Sequence, residues 1–211
     1  MNALYWGWGI SAVVLIIAAG WAGRRSKGTY LGFLIDERNQ YSLSKFQVTL
    51  WTTLVLSLIG GVVIGRIFHG GDALGFKIPD ELLIVMGISL GSGAAAAVVK
   101  ADQDNRAALR AAALGVTAPT PAPLASATFR QMLAVEQGGV AIETVDLTKF
   151  QNFWITLILV AAYIALAANS FNKLVSPSDI KALPGFDGTF VTLLGISHAA
   201  YLAGKLPSRN P

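Results

Sequence analysis

Apolar residues in this chain gather into five blocks separated by short polar or Gly/Pro-containing stretches. The blocks cover residues 3–23, 46–68, 82–99, 150–171 and 190–206. They approach or exceed the roughly 20 apolar residues that carry a helix across a bilayer. The pattern predicts an all-α integral membrane protein of about five transmembrane helices. No Lys or Arg precedes the first block, so it lacks the basic flank of a cleaved signal and reads as a retained helix.

Composition strengthens that picture. The 211 residues are 54% hydrophobic and 13% charged, against roughly a quarter charged in soluble domains. Cysteine is absent, which excludes disulfides, thiolate metal sites and cysteine nucleophiles. The pI near 9.5 raises nucleic acid as a partner, but the basic residues flank apolar blocks rather than forming one run. With the N-terminus outside, twelve of the 16 Lys and Arg fall on the cytoplasmic side, Arg24, Lys45, Lys100, Lys149, Lys205 and Arg209 among them. Only Arg66, Lys77, Lys173 and Lys181 fall outside, the bias expected of positive-inside topology. Tyr5, Trp6 and Trp8 then sit at the outer interface, where aromatic belts form.

The chain also matches itself. Ser42-Leu43-Ser44-Lys45-Phe46-Gln47 corresponds to Asp146-Leu147-Thr148-Lys149-Phe150-Gln151, and Met86-Gly87-Ile88-Ser89 to Leu194-Gly195-Ile196-Ser197, at nearly the same separation. Ser42 and Asp146 are suited to cap a helix start, with Tyr41/Phe46 and Val145/Phe150 at staple positions. Lys45 and Lys149 snorkel to headgroups from just inside. Each unit holds two spans, so both enter from the same side, and the expectation is a parallel repeat of helices 2–3 and 4–5 about an axis along the membrane normal. The organisation is then an N-terminal helix with its basic flank (1–29), repeat 1 (30–100), a cytoplasmic linker (101–145) and repeat 2 (146–211).

Small and polar residues inside the spans supply the candidate sites. Gly61 with Gly65, and Gly87 with Gly91, are GxxxG pairs for close helix packing or oligomerisation, and Gly195 is the counterpart of Gly87. Gln47 and Gln151 either bond at headgroup level or meet each other across the repeat axis. Leu194, His198, Tyr201 and Lys205 share one helical face. His198 is the ionisable residue deep in a span, and its commoner fate is a neutral ring bonded to a neighbouring hydroxyl or carbonyl. Ser89, Ser92, Ser197, His198 and Tyr201 together are the lining a channel would use. In the linker, 105–114 reads as a short helix, 117–123 as an extended Pro/Ala/Thr stretch, and 128–135, like 30–35, as an amphipathic surface element.

The repeated S-L-x-K-x-Q motif, Trp51 four residues after Gln47, Leu183-Pro184-Gly185-Phe186-Asp187 and Tyr201-Leu202-Ala203-Gly204-Lys205 resemble a group of poorly characterised bacterial multi-pass membrane proteins with a duplicated two-helix unit. The resemblance covers roughly residues 30–206, implies a bacterial inner membrane and imports no activity. The second unit departs from it, since Trp154 follows Gln151 by three residues. His69 and His198 lack metal-ligand spacing, and neither a serine-nucleophile elbow nor a phosphate-binding glycine loop is present. The sequence therefore points to no enzyme and no cofactor. Its leading expectation is a membrane scaffold or assembly subunit that forms homo-oligomers or joins a larger assembly. The alternative is a homo-oligomeric ion channel or small-solute transporter.

Overall fold

The computed structural model describes residues 2–118, 120–121, 123–137 and 140–205. Among these, five α-helices follow one another: α1 (Asn2–Lys27), α2 (Leu43–Phe68), α3 (Asp80–Ala113), α4 (Leu147–Asn172) and α5 (Gly188–Ala203). The first four are long and apolar enough to cross a membrane, whereas α5 has 16 residues. The fold class expected from sequence holds in its coarse form, with one addition. Phe129–Leu133 of the surface element expected over 128–135 is a short 3-10 helix, and Ala134–Gln137 (β1) and Val140–Val145 (β2) follow it as a two-stranded antiparallel hairpin. Residues 138–139, Arg209 and the end of the fifth apolar block lie outside the described residues.

Local chemistry explains where the helices begin and end. The Ser42 hydroxyl accepts from the Lys45 amide, and the Asp146 carboxylate accepts from the Thr148 and Lys149 amides at 2.9 and 3.1 Å, satisfying amides that a helix start leaves orphaned. The helix α3 does not stop at Lys100. It runs on through the Ala-rich segment expected as a separate helix, supported by an Asp102–Arg106 pair at 2.8 Å one turn apart. It ends at Gly115, whose φ of 67° suits a left-handed cap. There the Val116 amide donates to the Ala111 carbonyl and the Gly115 amide to Ala112, closing a Schellman motif. Residues 101–113 of the expected linker are thus helix, and α3 is about 51 Å long at 1.5 Å per residue.

Glycine fixes how α1 lies on α2. A Cβ on Gly61 would come within 2.8 Å of the Trp8 backbone, one on Gly7 within 2.9 Å of the Gly61 carbonyl, and one on Gly65 within 2.9 Å of Leu4. The Gly61/Gly65 pair is therefore filled from within the chain. Trp8 donates to Ser57 at 3.0 Å, and the Tyr5 hydroxyl reaches the Ala168 carbonyl and Asn172 on α4. The apolar core lies inside α2–α5, around Trp51, Val55, Leu58, Leu82, Tyr163 and Leu194.

The two ends of the bundle differ. Lys100, Lys149 and Lys205 converge on Glu136 at one, the basic end, where Lys45 also lies, paired with Glu37. At the other, buried Arg66 donates to the Asp72 and Ile180 carbonyls, and an isolated parallel bridge joins Lys77 to Ala182. Those bonds tie the α2–α3 loop to the α4–α5 loop.

Candidate functional site: a polar axis through the bundle

The α2 helix turns Gln47 and Trp51, four residues apart, toward the interior, and α4 does the same with Asn152 and Thr156. Gln47 Nε2 donates to Asn152 Oδ1 at 3.0 Å and to Thr156 Oγ1 at 2.7 Å. Ser197 Oγ, from α5, donates to the same Asn152 oxygen at 3.0 Å. The Gln47 and Asn152 amides are fixed relative to each other, one presenting NH2 where the other presents oxygen, while the Thr156 and Ser197 hydroxyls can donate or accept. Gln151, which the repeated motif pairs with Gln47, lies on the exposed side of α4. The expectation that the two glutamines meet is therefore corrected: the partner is the next residue, because one helical position is a rotation of about 100°.

His198 is buried, and its Nδ1 lies 2.6 Å from Ser92 Oγ on α3. Ser92 also lies 3.0 Å from the Ser89 carbonyl. With one proton on that hydroxyl, either the serine donates to the ring or the ring donates to the serine and the serine to the carbonyl. Toward the basic end, the Tyr201 and Ser44 hydroxyls are 2.9 Å apart. The predicted face of Leu194, His198, Tyr201 and Lys205 thus points inward as one row. Gln47 Oε1, Trp51 Nε1, Ser89 Oγ, Asn152 Nδ2 and His198 Nε2 are buried without a hydrogen-bond partner. Trp51 packs edge-on to Phe186 at 5.8 Å, and Phe186 stacks on Tyr163 at 4.8 Å.

At the basic end the axis terminates on Glu136, in β1. Lys149 Nζ reaches its Oε1 at 2.7 Å, Lys205 Nζ reaches Oε1 at 3.2 Å, Arg38 reaches Oε2 at 3.1 Å and Lys100 lies 3.5 Å from Oε2. Burial alone raises a carboxyl, but Lys100, Lys205 and Lys149 outweigh it and hold Glu136 well below its ordinary value. Around this hub, Lys100 donates to Asp36 at 2.6 Å, and Arg38 pairs with Asp104 at 2.8 Å and donates to the Lys100 carbonyl at 3.2 Å. One carboxylate thereby joins α3, α4, the end of α5 and the turn before α2. Sequence reasoning missed Glu136 because it sits outside every apolar block.

A smaller version of the same contact precedes α2. Lys45 Nζ donates to the Ile35 carbonyl at 2.8 Å and to Glu37 at 3.2 Å; Lys149 Nζ donates to the Ala134 carbonyl at 2.8 Å and to Glu136 at 2.7 Å. In each case the carboxylate lies two residues after the carbonyl. The Ser42 amide donates to Leu34 and the Asp146 amide to Leu133 in the same way.

The other predicted residues divide cleanly. A Cβ on Gly195 would lie 3.7 Å from Ile88, an ordinary contact, whereas one on Gly87 or Gly91 would meet nothing within 4 Å. Among the described residues no three His, Asp or Glu side chains gather as a metal-holding group. The fold is thus a five-helix bundle with four helices long and apolar enough to cross a membrane and a buried polar axis ending in an ion-pair hub. No family model, curated protein or solved structure matches this chain.

Proposed function

We propose that the protein is a non-enzymatic assembly subunit of a bacterial inner membrane, built from a duplicated two-helix unit and self-associating through α3. The matched Lys45–Glu37 and Lys149–Glu136 contacts support duplication. Topology follows the basic residues, with the N-terminus outside and the basic end in the cytoplasm.

One observation carries the assembly reading. The glycines that meet α1 are filled, but Gly87 and Gly91 form an open small-residue face on α3, the kind of surface on which membrane helices approach closely. Beyond Lys100 the same helix continues to Ala113 as a largely exposed extension. Association along α3 sets several such extensions side by side for a cytoplasmic partner. The absence of native cysteine makes a direct test simple. A single Gly91→Cys substitution should give a dimer on mild oxidation in membranes, while a cysteine at Trp21, an exposed position on α1, should not. Equal cross-linking at both positions is the result that removes the specific interface.

The channel reading draws on the unpartnered polar atoms of the axis. Against it, Trp51, Phe186 and Tyr163 pack on one another in the same interior. Solute or ion flux above that of empty vesicles would favour it over the assembly reading.

A further inference from the structure

At the basic end, an open-sided groove of about 390 Å³ lies between α2 and α3. Its apolar wall is Val48, Leu90, Gly93, Ala94 and Ala97; its mouth carries Lys45, Lys100, Asp36 and Glu37. Two ammonium groups and two carboxylates cancel, so the mouth is polar on both signs and neutral in sum. The chemistry changes from charged to apolar over the length of one groove, at the level where lipid headgroups meet acyl chains in the membrane orientation proposed above.

The two equivalent ion pairs differ in exposure, and only the more exposed one lines the groove. Lys149 and Glu136 are closed over by Lys100, Lys205 and Arg38, leaving their side chains 5% and 17% exposed. Lys45 and Glu37, 3.2 Å apart, remain 38% and 74% exposed. The Ile35 carbonyl and Glu37 take two of the three ammonium protons of Lys45. The first turn of α2, positive by its helix dipole, starts at the same mouth with Ser42.

We propose that this groove binds one phospholipid with a zwitterionic primary-amine headgroup. Its phosphate takes Lys45 and the start of α2, its ammonium donates to Glu37, and an acyl chain follows Leu90, Ala94 and Ala97. The volume suits a headgroup, being within the usual range of small-molecule sites of about 300–1,000 Å³. An anionic headgroup has no excess positive charge to meet there, and a choline headgroup has no N–H to donate to Glu37. The proposal rests on the membrane location above.

The test is native mass spectrometry of the full chain in mild detergent with equimolar phosphatidylethanolamine, phosphatidylglycerol and phosphatidylcholine. One phosphatidylethanolamine should be retained, favoured over phosphatidylcholine by about tenfold, the equivalent of one good charge-assisted hydrogen bond. Ala97→Phe, at an exposed wall position, should abolish the adduct, and Glu37→Gln should abolish only the preference for the amine headgroup. Equal retention of the three lipids, a preference for phosphatidylglycerol, or an adduct that survives Ala97→Phe overturns the site. Unselective lipid binding overturns this inference alone, whereas a chain recovered in the aqueous fraction without lipid overturns the membrane reading too.

Discussion

Gln47 on α2 donates to Asn152 on α4 at 3.0 Å, with the two residues 1% and 0% exposed. In an apolar bundle an amide without a partner is costly, so this bond selects the one rotation of α4 that answers Gln47. Gln47→Leu removes donors from both Asn152 and Thr156. It should lower stability by about 1–3 kcal/mol, the cost of two lost buried hydrogen bonds, with Ser197 still donating to Asn152. Gln151→Leu, on the exposed side, should leave stability unchanged to within about 0.5 kcal/mol. Unfolding of both variants in one detergent checks the pair, and equal losses contradict the assigned register.

Glu136 is the second point of leverage. Glu136→Gln leaves Lys149, Lys205 and Arg38 around a neutral amide. The expected loss is about 3–5 kcal/mol, as for removal of one partner from a buried ion pair. The equivalent change at Glu37 removes an exposed pair and should cost no more than about 1 kcal/mol. Denaturant unfolding of the two variants, compared with the parent, tests whether the hub or its exposed counterpart holds the hairpin to the helices.

The same carboxylate sets an acid limit. Its folded-state value is depressed below the ordinary 4.5 by Lys100, Lys205 and Lys149, against the raising effect of burial. The unfolded chain therefore binds more protons in that window, and stability contributed by Glu136 is fully present above 4.5 and lost as pH falls toward the folded value. Stability should stay level from neutral pH to about 5 and decline below about 4.5, with a shallower decline in Glu136→Gln. An unchanged acid profile in that variant assigns the acid sensitivity elsewhere.

Much of the fold was legible from residue pattern alone, because long apolar blocks with capped starts leave few alternatives. The helices begin where Ser42 and Asp146 cap them. Three features were not legible. The register of α4 was hidden because the motif aligns Gln151 while packing selects Asn152; the shortened spacing to Trp154 was the available signal. The extension of α3 was hidden because an apolar block ends at Lys100 whereas helix propensity does not. Glu136 was hidden because the segments that join each glutamate to its lysine differ in length, so Glu37 lies eight residues before Lys45 and Glu136 thirteen before Lys149. Aligning Leu34 and Leu133, each three residues before its glutamate, would have paired them.

Close packing of α1 predicts a third contrast. Gly61→Leu must displace the Trp8 backbone and should detach or shift α1, lowering stability by about 1–3 kcal/mol. Gly87→Leu meets open space and should leave the unfolding midpoint of the isolated subunit within experimental scatter. Thermal melts of both variants in detergent separate in-chain packing from a surface that faces outward.

The central claim is that the open Gly87/Gly91 face of α3 is where copies of this chain meet. Light-scattering mass of the protein after gentle extraction from its own membrane, with Gly91→Leu measured alongside, tests it most directly. The account predicts a protein mass at a whole multiple of 22.2 kDa above one for the parent, falling to one subunit in the variant. A parent that is already a single subunit, or a variant of unchanged mass, contradicts it.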